Sequence, residues 1–386
     1  MMRRALLPVA ALLAAVALSP VARVQASNGD PTPTAPVPVL AASAWYLVGE
    51  DGSVLAERNE EQRRAIASIT KLMTAIVTLQ RARLADLVTV GARSSGVGES
   101  TAHLRAGERL NVSMLLRAML VASANDAADA LALHVGRGSI SRFVALMNAE
   151  ARELGLDDTT FANPHGLDAT GHLSSAEDAT TLVRYALGIP FIRDALGRSS
   201  VVLPRGGEFP TTDDLLESWP PLVGGKTGHT ADAGWSQAAA ARSRGVTVYG
   251  TVLGSRSRNA RNDALQELLT YGLARYRPIV AIDAGRVYAT ATTAYGRPAV
   301  VLVARRTVVR SVHDRSPLLE RVVAQGVVGL PVRRGQRLGR VEVSDGSRLI
   351  ASSNLVAAAA VSEPGIFGKT AWYARRTARN VWGLVT

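Results

Sequence analysis

The stretch AIASITKLMTAIV (residues 65–77) places a lysine in a chain that almost never uses one. Of 44 basic residues only Lys71, Lys226 and Lys369 are lysines; all the others are arginine. Arginine holds its charge at any working pH, whereas a lysine can be driven to the free amine and then accept a proton. Ser68 and Lys71 stand three apart where Ile69, Leu72, Met73, Ile76 and Leu79 set a helical period, so both side chains fall on one helix face. A serine beside a neutral amine is an activated nucleophile, and burial near positive potential is what makes a lysine neutral. The helix start favours negative charge developing at Ser68. Alone, the pair reads equally well as a helix-capping serine and a solvated lysine.

Two further motifs separate these readings. Ser123-Ala124-Asn125 lies between two predicted helices, and Lys226-Thr227-Gly228 opens a predicted strand, so the second of the three lysines falls in the third motif. Ser123 is suited to relay a proton toward a leaving group, and Asn125 to hold Lys71 or a substrate amide. Lys226 and the Thr227 hydroxyl offer a positive, donor-rich patch for a terminal carboxylate. Gly228 permits close approach to a strand along whose edge an extended peptide can lie. The backbone N–H groups of Ser68 and His229 are candidates for an oxyanion hole.

The three motifs in this order resemble the serine D-alanyl-D-alanine carboxypeptidases, the low-molecular-mass penicillin-binding proteins. The resemblance runs from about Ala42 to the C-terminus through ASITKLMTA, LVASANDAADALA, FANPHGLDATGHLSSAEDA, GGKTGHTADAG and GSRSRNARNDALQELLTYG. It implies an α+β protein with a β-lactamase/penicillin-binding-protein-like transpeptidase fold, an antiparallel sheet with a helical cluster; the short valine-rich runs and turns of residues 279–360 add a small C-terminal β-sandwich. The resemblance also implies cofactor-free acyl-enzyme chemistry. Ser68 attacks between the terminal D-alanines of a peptidoglycan stem peptide with Lys71 as general base, and β-lactams inhibit by forming a slow ester. Arg261 matches a family arginine near the carboxylate pocket. The chain departs from the pattern at Ala124, usually glycine, at Gly224-Gly225, often Asp-Gly, and at Asp213, where asparagine is usual.

Bulk properties agree with an exported enzyme. The 386 residues have room for two cored domains. Cysteine is absent, which excludes disulfides, thiolate metal sites and cysteine nucleophiles. A net charge of +12 favours an anionic partner, but zinc-finger and RNA-recognition signatures are missing and only 5% of residues are aromatic, which argues against nucleic acid. Arg3 and Arg4, the apolar run Ala5–Leu18 and small residues near Ala26 read as a secretory signal over residues 1–26. This predicts export, and the resemblance implies a location on the outer face of a bacterial cytoplasmic membrane.

A Pro-rich leader (27–38), a peptidase domain (39–278) and a valine-rich β domain (279–360) follow. The peptidase domain opens with a hairpin turning at Asp51-Gly52, and a later helix is capped by a Ser174…Glu177 box. In residues 361–386, apolar Ile366, Phe367, Trp372 and Trp382 alternate with Lys369, Arg375, Arg376 and Arg379, the pattern of a basic amphipathic helix lying on an anionic membrane.

His165 and His172 read as turn or packing residues. Asp126, Asp129, Glu150 and Glu153 read as helix-surface charge without metal spacing. A β-lactamase is the competing enzyme; it requires an activated deacylating water, and no Glu-x-x-Leu-Asn string occurs between the second and third motifs. A non-catalytic penicillin-binding wall protein would not need Ser68, Lys71 and Lys226 intact.

Overall fold

The structure, a computed structural model, describes residues 36–204, 206–314 and 317–382, with side chains described as far as residue 378. The expected signal and most of the leader lie outside the described residues. The chain divides into a unit ending at Tyr276 and a second unit from Arg277 onward.

The first unit is built on a five-stranded antiparallel sheet. Its strands are β1 (Ala44–Gly49), β2 (Val54–Arg58), β3 (Leu222–Thr230), β4 (Gly234–Ser243) and β5 (Val246–Ser255), in the order β2-β1-β5-β4-β3. The Asp51-Gly52 and Ser243-Arg244-Gly245 turns fall where the hairpin readings put them; Gly52, Arg244 and Gly245 have positive φ, as tight hairpin turns require.

The run Ala238–Ala241 lacks polar alternation because both sheet faces are covered. Ala238 and Ala240 join one core with the helical cluster, while Ala239 and Ala241 join a second core with Leu265, Leu268 and Leu269 of the closing helix.

The cluster comprises α1 (Lys71–Arg81), α2 (Val112–Val121), α3 (Asn125–Val135), α4 (Ile140–Glu153) and α5 (Ala176–Gly188); α6 (Arg258–Ala274) covers the other face. Asn111, Ser139, Ser175 and Ser257 cap α2, α4, α5 and α6 through side-chain oxygens. The cap of α5 is thus Ser175, not Ser174: Ser174 is held in a bridge to Arg64, which shifts the helix start by one residue.

α1 is buried almost all round rather than amphipathic. Its polar Thr74 and Thr78 are satisfied by carbonyls of Pro164 and Thr74, at 2.6 and 2.7 Å.

In the second unit, Val287–Thr293, Val300–Ala304, Leu318–Ala324, Val327–Val328, Arg337–Asp345 and Arg348–Ala357 form a six-stranded sheet, and Tyr276–Ile282 pairs separately with Val308–His313. Its core is small and aliphatic, with Val300, Leu302, Val341 and Leu355 at its centre. A last helix, α7, spans Ile366–Trp382.

Candidate active site

Ser68 does not sit in the first turn of α1 as the periodicity predicts. It lies in a single 3₁₀ turn, Ala67–Thr70, and Lys71 begins the α-helix. Ala67 has φ 48°, a left-handed conformation uncommon for a side-chain-bearing residue and characteristic of functional turns. Gly166, at φ 91°, backs this turn so closely that a Cβ there would stand 2.0 Å from the Ala67 carbonyl oxygen. Gly228 of β3 packs from the other side, where a Cβ would come within 3.1 Å of the Ser68 nitrogen. Glycine at both positions lets two backbone segments close on the nucleophile turn.

Lys71 is fully buried and its Nζ has three oxygen neighbours, each at 2.7 Å: Ser68 Oγ, Asn125 Oδ1 and the His165 carbonyl. Burial pushes its pKa far below the ordinary lysine value, and the positive charge of Lys226 adds to this; Glu99 and Asp126 oppose it.

Asn125 is fixed by Asn125 Nδ2 donating to Gly98 O and Asn125 N donating to Ser100 O. The second bond also satisfies an N–H at the start of α3, which has no side-chain cap. Ser123, just upstream, is left-handed at φ 61° and its side chain lines the cleft.

Asp126, Asp129 and Glu150 correct the surface-charge reading, since all three are buried. Asp126 accepts backbone N–H bonds from Ala102, Leu104 and Ala127, which braces the loop that holds Asn125. Asp129 accepts from Ser94 Oγ and Arg93, and Glu150 from Gln80. Their partners come from distant loops and helices, which helical spacing does not reveal. Glu153 is exposed as expected.

The two histidines of the 165–172 loop serve its architecture. His172 Nδ1 accepts from the Ala162 N–H, so Nε2 carries the proton and donates to Thr70 Oγ1 at 2.7 Å. Burial lowers its pKa to about 4, and that of His165 to about 3, so both rings are neutral near pH 7.

A cleft of about 340 Å³ runs along the nucleophile turn and the edge strand β3. Ser68, Ser123, Asn125, Thr227, Gly228, His229 and Arg261 all line it. Lys71 and Lys226 stand behind the wall. Lys226, 1% exposed, donates to its own strand's Thr227 O at 3.1 Å rather than reaching into the cleft as the patch reading supposed. The Lys-Thr-Gly motif lies within β3 rather than opening it.

Sequence reading missed Thr212, whose Oγ1 meets Thr227 Oγ1 at 2.7 Å, and Trp235, over whose ring the Arg261 guanidinium sits at 5.9 Å. It missed the His165 carbonyl as well, because main-chain ligands leave no side-chain signature. Among the described residues no cluster of histidine and carboxylate side chains is arranged to hold a metal ion.

Residues 31–257 match the family model described as D-alanyl-D-alanine carboxypeptidase, more than half of the chain. The chain belongs to the D-alanyl-D-alanine carboxypeptidase family. The carboxypeptidase DacD of Salmonella typhimurium is 30% identical over 382 residues, covering 95% of this chain and 97% of that protein. DacA of Escherichia coli K12 is 30% identical over 355 residues, covering 86% and 87%. Among solved structures, penicillin binding protein 5 of Haemophilus influenzae superposes with a TM-score of 0.62 at 27% identity over 84% of this chain and 99% of that one.

These carboxypeptidase relatives share the helical cluster and antiparallel sheet, followed by a separate C-terminal sheet domain. The α+β transpeptidase fold expected from the motifs is therefore the fold of this chain. As a family member it is a serine-type D-Ala-D-Ala carboxypeptidase acting in the bacterial cell wall, with peptidoglycan stem peptides as substrate and β-lactams as ligands.

Proposed function

We propose that the chain trims the terminal D-alanine from peptidoglycan stem peptides through an ester at Ser68, with Lys71 as the base. The observation that carries this reading is the buried Lys71 amine, 2.7 Å from Ser68 Oγ. A neutral amine has two N–H donors and one lone pair. The Asn125 and His165 oxygens take the two donors, which leaves the lone pair for the Ser68 hydroxyl proton.

Ser68 Oγ bonds to the carbonyl carbon of the penultimate residue as its proton passes to Lys71. The carbonyl oxygen, now anionic, is held by the Ser68 and His229 N–H groups. The C–N bond then breaks, the departing amine receives a proton through Ser123, and water later hydrolyses the ester. Thr227 and Arg261, backed by Lys226, bind the terminal carboxylate, and Asn125 aligns the peptide amide. The peptide backbone pairs with the free edge of β3 beside Gly228.

The test is incubation of the pure protein with a fluorescent penicillin and with a peptide ending in D-Ala-D-Ala, beside Ser68→Ala. Wild type should label covalently and release D-alanine. Ser68→Ala should do neither, a loss of roughly 10⁴-fold or more. An unlabelled wild type, or a Ser68→Ala protein equal to it, sinks the reading.

The same reading places the enzyme outside the cytoplasm, exported by residues 1–26, with α7 on an anionic membrane surface. Ile366 and Phe367 are 81% and 92% exposed at the start of α7, which supports contact with lipid. Trp372 contributes less than its sequence position suggests, because it packs edge-on against Tyr295. The tail's Arg379, Val381, Trp382 and Val385 side chains lie outside the described residues. Among the described residues no helix is long and apolar enough to cross a membrane. Deleting residues 366–386 should abolish sedimentation with anionic vesicles and spare hydrolysis of a soluble peptide; unchanged sedimentation refutes the role of the tail.

A further inference from the structure

Two guanidiniums and one carboxylate meet at the cleft, and acyl transfer as derived above uses only one of the three. Arg258, the first residue of α6, and Arg261, one turn on, both line the cleft. Asp214, just ahead of the short helix Leu215–Ser218, faces both of them.

The carboxylate is not shared evenly. Arg258 grips it with two nitrogens: Nε donates to Asp214 Oδ2 at 2.6 Å, and Nη2 donates to Oδ1. Arg261 reaches it through Nη2 alone, at 3.3 Å. A two-pronged guanidinium–carboxylate pair is the strong form of this contact, whereas a single bond of that length is weak. Asp214 is therefore the counter-ion of Arg258.

Arg261 is placed by another group. Its Nε and Nη2 both donate to Asn262 Oδ1, the Nε bond at 3.0 Å, and its side chain is 2% exposed against 49% for Arg258. Asp213 also acts on Arg261 by its charge, but among the described residues the two make no hydrogen bond. A buried guanidinium without a firmly paired carboxylate keeps its charge for an incoming anion.

We propose that Arg258 is a positioning residue for substrate recognition: by claiming Asp214 it keeps Arg261 available to the terminal carboxylate of the peptide. The proposal rests on the acyl-transfer reading. Without Arg258, Asp214 turns to Arg261, and the net positive charge of the three groups falls to zero. Without Asp214, both guanidiniums stay charged and Asn262 still orients Arg261. The two losses break the same ion pair with opposite consequences for a bound carboxylate.

The assay compares a peptide ending in D-Ala-D-Ala with the same peptide amidated at its C-terminus. Arg258→Gln is expected to lower kcat/KM for the free acid about tenfold, through KM with kcat held within about twofold, and to leave the amide nearly unchanged. Adding Asp214→Asn to Arg258→Gln should restore the acid to within about threefold of wild type, and Asp214→Asn alone should not raise KM. Acid and amide falling together, or a double variant no better than Arg258→Gln, overturns the proposal. So does Asp214→Asn raising KM as much as Arg258→Gln, the result expected if the pair merely pins α6. Arg258→Ala serves the same test should the glutamine variant fold poorly. A wild type that hydrolyses neither peptide sinks the carboxypeptidase reading instead, and equilibrium binding of the two peptides to the same variants then decides the role of Arg258.

Discussion

The two buried lysines of the catalytic unit occupy opposite kinds of pocket. Lys71 has three oxygen neighbours at 2.7 Å and an anchored asparagine, so its position is fully determined. Lys226 makes one hydrogen bond among the described residues, to its own strand's Thr227 carbonyl. On the proposed mechanism the difference has a reason: one lysine is held as an atom in a place, because a proton must pass to it. The other is held as a charge, because its field acts through the cleft wall.

This contrast is breakable by one assay applied to three variants. Lys71→Arg keeps the charge and removes the ability to be a base, so penicillin acylation should fall by roughly 10³-fold; a variant that labels at a near-normal rate shows that some other group deprotonates Ser68. Gly166→Ala forces a side chain into left-handed backbone against the Ala67 carbonyl, displacing Ser68 from Lys71. Acylation should fall about 10²-fold and the melting temperature by roughly 5 °C, since a 1 Å misplacement of a reacting group has consequences of that order. A glycine-to-alanine change without effect on either would mean that the turn does not depend on this close packing. Lys226→Arg preserves charge where only charge is required, so acylation should stay within about tenfold of wild type. Should Lys226→Arg lose as much as Lys71→Arg, the distinction between the two pockets fails.

Much of the site was legible because its chemistry needs particular residue types at short spacing. Ser68, Lys71, Asn125 and the Lys226-Thr227-Gly228 run stand out in a chain that otherwise replaces lysine by arginine. Asp126 was misread because helix periodicity reports only the helix's own faces, whereas its partners, Ala102 and Leu104, come from another loop. Thr212 escaped notice because a threonine in a polar loop carries no pattern until Thr227 is placed against it.

Sequence alone determined the reaction class, because the three short motifs around Ser68, Ser123 and Lys226, in fixed order, carry the family resemblance whatever surrounds them. Tertiary structure decided the protonation of those groups. Burial and the field of neighbouring charges set whether Lys71 and Lys226 carry protons, and both depend on distances that exist only once the chain has folded.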